Sequence, residues 1–84
     1  MKLAKDYFLE FKAELAQLSD SELIDRFNGE VGVRAFGVAR QGYLWAIREE
    51  LQERKIDFSS VDDDTEMSYK HVVFLKGKKF FRFS

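Results

Sequence analysis

The chain contains no cysteine and no proline, and its longest uninterrupted apolar run near the C-terminus is only Val72 to Leu75. Without thiols there is neither a disulfide framework nor a thiolate zinc site, so stability must come from apolar packing, alone or with a partner subunit. Without proline there is no Pro-rich recognition segment. The Val72 to Leu75 run falls far short of the ~20 residues a membrane-spanning helix needs. Lys2, Lys5, Asp6 and Glu10 interrupt the apolar residues between Met1 and Phe11, so the reading expects no export leader there. The expected setting is the cytoplasm, with no membrane association. Net charge is also scarce, at −1 over 84 residues, which argues against a general polyanion binder. Aromatic residues, in contrast, make up 15% of the chain and suit a packed core. A chain this short fills one core, so residues 1–84 are read as a single domain.

Three helices are expected, followed by strands. Leu3, Tyr7, Phe11, Leu15 and Leu18 recur every three or four residues and predict an amphipathic helix from Leu3 to Leu18, with Phe8 widening its stripe. Ser19 and Glu22 have the spacing of a capping box, flanked by Leu18 and Leu23, so a second helix begins there and should end at Asn28-Gly29. Four of the five glycines lie at 29, 32, 37 and 42, a density that marks a loose connection or a close approach of backbones. A longer helix starts at Phe36 or Val38 and runs to Lys55, with Leu44, Ile47 and Leu51 on one face and Glu50 and Arg54 as an i,i+4 pair. Three β-type segments follow: Ile56 to Val61, Met67 to Lys76 and Lys79 to Phe83, the last two joined by a turn at Gly77-Lys78. The expected architecture is α+β, with three N-terminal helices on one face of a C-terminal antiparallel sheet of two or three strands.

That turn pairs Lys76 with Lys79, Leu75 with Phe80, Phe74 with Phe81, Val73 with Arg82 and Val72 with Phe83, so each opposed pair shares a face. One face carries Val72, Phe74, Phe81 and Phe83 and is expected to be the core. The other carries Tyr69, His71, Val73, Leu75, Phe80 and Arg82, too apolar for an open solvent face. Tyr69, Val73, Leu75 and Phe80, together with Trp45 on the third helix, are therefore the expected partner-binding residues, the partner being a second copy or another protein.

Charge is segregated toward the C-terminus. Residues 57–66 hold five carboxylates and no base, whereas Lys70, Lys76, Lys78, Lys79 and Arg82 follow with no acid. Lys76, Lys78, Lys79 and Arg82 supply the alternative reading, a hairpin that binds nucleic acid in a winged-helix-like arrangement. Glu49, Glu50 and Glu53, read as the exposed side of the third helix, oppose it, because a recognition helix is basic. Arg34 and Arg40 are candidate ligands for a small anion at the start of that helix. The "GEVG" segment resembles the G-x-x-G loop of KH-type RNA binders only in spacing, since Glu30 would repel a phosphate.

Catalytic patterns are thin. His71, the only histidine, stands on a strand with no acid close in sequence to orient it. "DDDTE", residues 62–66, lacks the glycine and the terminal glutamate of a calcium loop and reads as a solvated turn. The expectation is a non-catalytic, self-associating binding or assembly module that uses no metal and no cofactor.

Overall fold

The structure is a computed structural model and describes residues 2–33, 37–61, 69 and 72–82. Three helices precede a two-stranded antiparallel sheet, an α+β fold: α1 (Ala4–Leu15), α2 (Asp20–Gly29), α3 (Val38–Glu53), β1 (Val73–Lys76) and β2 (Lys79–Arg82). Arg34, Phe36, His71, Phe83 and the acidic stretch 62–66 lie outside the described residues.

Local rules account for most helix ends. Asp6 accepts the Leu3 N–H at 2.8 Å and so covers one donor at the start of α1. The expected capping box opens α2: Ser19 Oγ accepts the Glu22 N–H at 3.1 Å, and Glu22 Oε1 accepts the Ser19 N–H at 2.9 Å. Helix α1 stops at Leu15, three residues before the expected Leu18, which belongs instead to the turn into α2. The left-handed glycine after α2 is Gly32, with φ of 80°, rather than Gly29.

At the end of α3 a lysine occupies a glycine's place. Lys55 has φ of 58°, its N–H bonds Gln52 O, and the Ile56 N–H reaches back to Leu51 O, the paired bonds of a Schellman ending. Ile56 and Leu51 are both buried, which supplies the hydrophobic contact that accompanies this ending. Lys55→Gly removes the left-handed strain while adding unfolded-state freedom, so a net gain of about 0.5–1 kcal/mol is expected. A rise in the urea midpoint at unchanged slope checks it.

Segment 56–61 is not the expected strand. A single parallel bridge joins Asp57 to Lys79, with the Asp57 N–H on Lys78 O and the Phe80 N–H on Asp57 O. The Asp57 carboxylate then accepts the Ser59 N–H at 2.9 Å, an Asx turn that bends the chain into a 3₁₀ turn at Ser59–Val61. Extension ends there because the side chain takes the next backbone donor.

The hairpin register is as expected from Lys76–Lys79 to Val73–Arg82, the fifth expected pair, Val72 with Phe83, reaching outside the described residues, but the faces are reversed. Val73 and Phe80 are fully buried and Leu75 packs partly against the same core, whereas Val72, Phe74 and Phe81 are exposed. Helix α2 decides the orientation. Phe27 stacks on Tyr69 at 4.7 Å and meets Phe80 edge-on at 5.3 Å, and the Asn28 amide donates to Val73 O and accepts from Val73 N, both at 2.9 Å. Asn28 thereby stands in for a neighbouring strand at Val73, where antiparallel geometry turns the backbone groups away from β2.

Helices α1 and α3 form the second half of the molecule and cross at Gly42. A Cβ there would lie 2.5 Å from Ala4 O, 2.7 Å from Phe8 N and 2.7 Å from Tyr7 Cβ, so only glycine permits this approach. A continuous core joins the halves through Leu15, Leu23, Phe27, Ile47, Leu51 and Phe80.

Candidate functional site

A buried ionic hub ties the elements together. Glu50 is 5% exposed, which corrects its expected place on an outer acidic face. Lys12 from α1 reaches it at 2.6 Å, and Arg54 Nε at 2.8 Å. Lys12 also pairs with Glu53. The Arg54 guanidinium continues to Asp20 at 2.9 Å and to the carbonyls of Leu15 and Leu18 at 3.0 and 2.7 Å, while Lys78 of the hairpin turn reaches Asp20 at 2.9 Å. Burial opposes ionisation of Glu50, but hydrogen bonds from Lys12 and Arg54 outweigh it and hold the carboxyl below the ordinary glutamate range. Lys78, and then Arg54, likewise hold Asp20 low. Every charge in the hub has an internal partner, so its role is to fix three helices and the hairpin turn in one arrangement.

The expected partner-binding residues separate. Val73 and Phe80 lie in the chain's own core, and Tyr69 and Leu75 pack against it, so these four line no outer surface together with Trp45. Burial pushes the Tyr69 hydroxyl well above its ordinary pKa, with Glu30 adding to the effect. The contact surface expected on that hairpin face is thus covered by α2 of the same chain.

Of the expected anion ligands, Arg40 is described, and its guanidinium is held by Glu30, with Nε 3.1 Å from Oε1 and Nη2 3.4 Å from the backbone carbonyl. A groove of about 340 Å³ opens beside it between Phe11, Arg26, Glu30, Ala39, Arg40 and Tyr43. Arg26 faces Glu14 at 3.2 Å, so both arginines of this groove already meet carboxylates. A second groove, of about 400 Å³, runs between α2 and β1 past Ile24, Asp25, Asn28 and Leu75.

Among the described residues two exposed aromatic surfaces remain. On the helical side Trp45 is 43% exposed and stacks on Phe8 with ring centroids 3.9 Å apart, and Leu9 and Leu3 are more than half exposed. On the hairpin, Phe74 and Phe81 stack across the strands at 5.6 Å, and Lys79 Nζ lies 5.5 Å from the Phe81 centroid. Sequence periodicity did contain a sign of the first surface, since Leu9 falls outside the α1 stripe among charged residues. The second was visible as a face but assigned to the interior.

No helix among the described residues is long and apolar enough to cross a membrane. No protein-family model matches the chain, and neither a curated protein nor a solved structure matches it significantly.

Proposed function

We propose that the chain is a non-catalytic cytoplasmic binding and assembly module that pairs with a second copy through the Trp45–Phe8 surface. The observation that carries this reading is a large aromatic side chain left 43% exposed on its stack with Phe8, with Leu9, the next residue of α1, 56% exposed. Helix α1 supports it further, because Leu15 is its only fully buried residue despite six apolar positions from Tyr7 to Leu15 counting Ala13. A half-exposed tryptophan stacked on a second aromatic ring has the composition of an interface anchor.

Charge favours a second copy as the occupant. A two-fold contact sets a surface against itself, so a surface of one sign repels its mate. Lys12 and Glu14 are bonded within the chain, which leaves the exposed Lys2 and Lys5 with Asp6 and Glu10, two lysines and two carboxylates, of which Lys2 and Glu10 are paired. Such a rim can meet its own copy with opposite charges apposed.

Trp45 is the only tryptophan, which makes its emission a direct report on this surface. Dilution from several hundred micromolar to about 1 µM should shift the emission to the red as Trp45 becomes hydrated. Leu9→Lys should show the red-shifted spectrum at every concentration, with the far-UV spectrum retained because Leu9 is exposed. Emission independent of concentration in the wild type would count against the reading.

A further inference from the structure

The outward face of the hairpin differs from the Trp45 surface in having charge of one sign. Between Val72 and Arg82 there are four cations and no carboxylate. Lys78 is turned to Asp20, which leaves Lys76 and Lys79 at the turn end of the outward face and Arg82 exposed at the far end of β2. Asp57 bridges to Lys79 through its backbone, and its carboxylate is held below the ordinary aspartate range first by the Ser59 N–H and further by the charge of Lys79, so Lys79 is partly offset while Lys76 has no such neighbour on the strands. Between the cations and the far end lie Phe74 and Phe81, each 37% exposed and stacked with an interplanar angle of 22°.

A second copy does not suit this face. Two-fold pairing would bring Lys76 and Lys79 against the same lysines, with the single Asp57 carboxylate near Lys79 to offset them among the described residues. The fitting occupant carries repeated negative charge and flat apolar groups at short intervals. Single-stranded nucleic acid has both, and open β-ribbon surfaces with exposed aromatics and flanking cations are suited to it.

We propose that the outward hairpin face binds single-stranded nucleic acid, with bases stacked on the Phe74–Phe81 pair and phosphates neutralised by Lys76 and Lys79. The strands are four residues long, about 13 Å, so the footprint is roughly two bases per subunit. Duplex is a poor ligand, because its base faces are already stacked and the rings cannot reach them.

The test is fluorescence anisotropy of a labelled oligo-dT of about 20 nucleotides, with a duplex of equal length as the control. Binding should prefer the single strand, and log K should fall against log salt with a slope near −1.4, about −0.7 for each of two phosphates. Phe81→Ala and Phe74→Ala should each weaken binding about ten-fold, while Lys76→Gln with Lys79→Gln should remove most of the salt dependence. Both rings are partly exposed, and far-UV spectra check that the variants remain folded. Absence of binding at low salt would overturn the proposal. So would binding that duplex matches and neither Phe change weakens, since that is attraction by charge alone. Leu9→Lys should bind the oligonucleotide as a monomer, which separates this result from the pairing of subunits.

Discussion

Gly42→Ala is expected to lower stability by about 1–3 kcal/mol or more, although alanine is the better helix former by nearly 1 kcal/mol. The new methyl would sit 2.5 Å from Ala4 O and 2.7 Å from Phe8 N, both backbone atoms of α1. Neither can be moved by changing a rotamer. Relief requires α1 to separate from α3, which loosens the Phe8–Trp45 stack and the Lys12–Glu50 pair at the same crossing. Gly29→Ala is the matched control, because Gly29 is also helical, has ordinary backbone angles, and has nothing within 4 Å of an added Cβ. It should be neutral or stabilising by up to about 1 kcal/mol. Measured side by side, the urea midpoint of Gly42→Ala should fall while that of Gly29→Ala stays or rises, and a comparable fall in both would contradict the packing described for Gly42.

Arg54→Ala should produce the other large loss, about 3–5 kcal/mol, the range for breaking a buried ion pair by removing one partner. A domain of this size has only roughly 5–10 kcal/mol of net stability, so the variant should lose a large fraction of it. Arg54 donates to Glu50, Asp20 and the carbonyls of Leu15 and Leu18 from one planar group. Lysine cannot reproduce that fork, and Arg54→Lys should recover only a minor part of the loss. The same hub sets the acid limb of stability. Glu50 and Asp20 are held below their ordinary values of 4.5 and 3.8, so their contribution is complete above those values and declines as pH falls through the lower folded-state values. Chemical denaturation from neutral pH downward should therefore show stability falling below about pH 4.5, with a shallower fall in Glu50→Gln. An unchanged pH profile in that variant would show that Glu50 is not held in its charged form by Lys12 and Arg54.

How much of this was legible in the sequence depended on the range of the interaction responsible. Ser19 and Glu22 are three residues apart and their capping box was readable, as was the hairpin register set by Gly77. The choice of inner face was not. Alternation shows that Val73 and Phe80 share one face and Phe74 and Phe81 the other, but Phe27 and Asn28, more than forty positions away, determine which face meets the helix. Glu50 looked like a member of an exposed acidic row because its cover comes from Lys12 on a different helix. Gly42 was marked only as one of several glycines. A closer signal existed, since Ala39, Gly42 and Ala46 place small residues at helical spacing on α3, as a close helix crossing requires. Of the candidate site, Trp45 was identified and its partner Phe8 was not, because their stacking joins α1 to α3. The strand expected from Ile56 failed for a local reason, the Asp57 side chain taking the Ser59 N–H.

Pairing of two copies through the Trp45–Phe8 surface is tested most directly by sedimentation equilibrium of the wild type and Leu9→Lys over a concentration series at low and moderate salt. The account predicts a wild-type dimer whose dissociation constant changes little with salt, because the contact is apolar with a balanced rim, and a monomer for Leu9→Lys at every concentration. A wild type that stays monomeric, or a dimer that Leu9→Lys leaves intact, would contradict it.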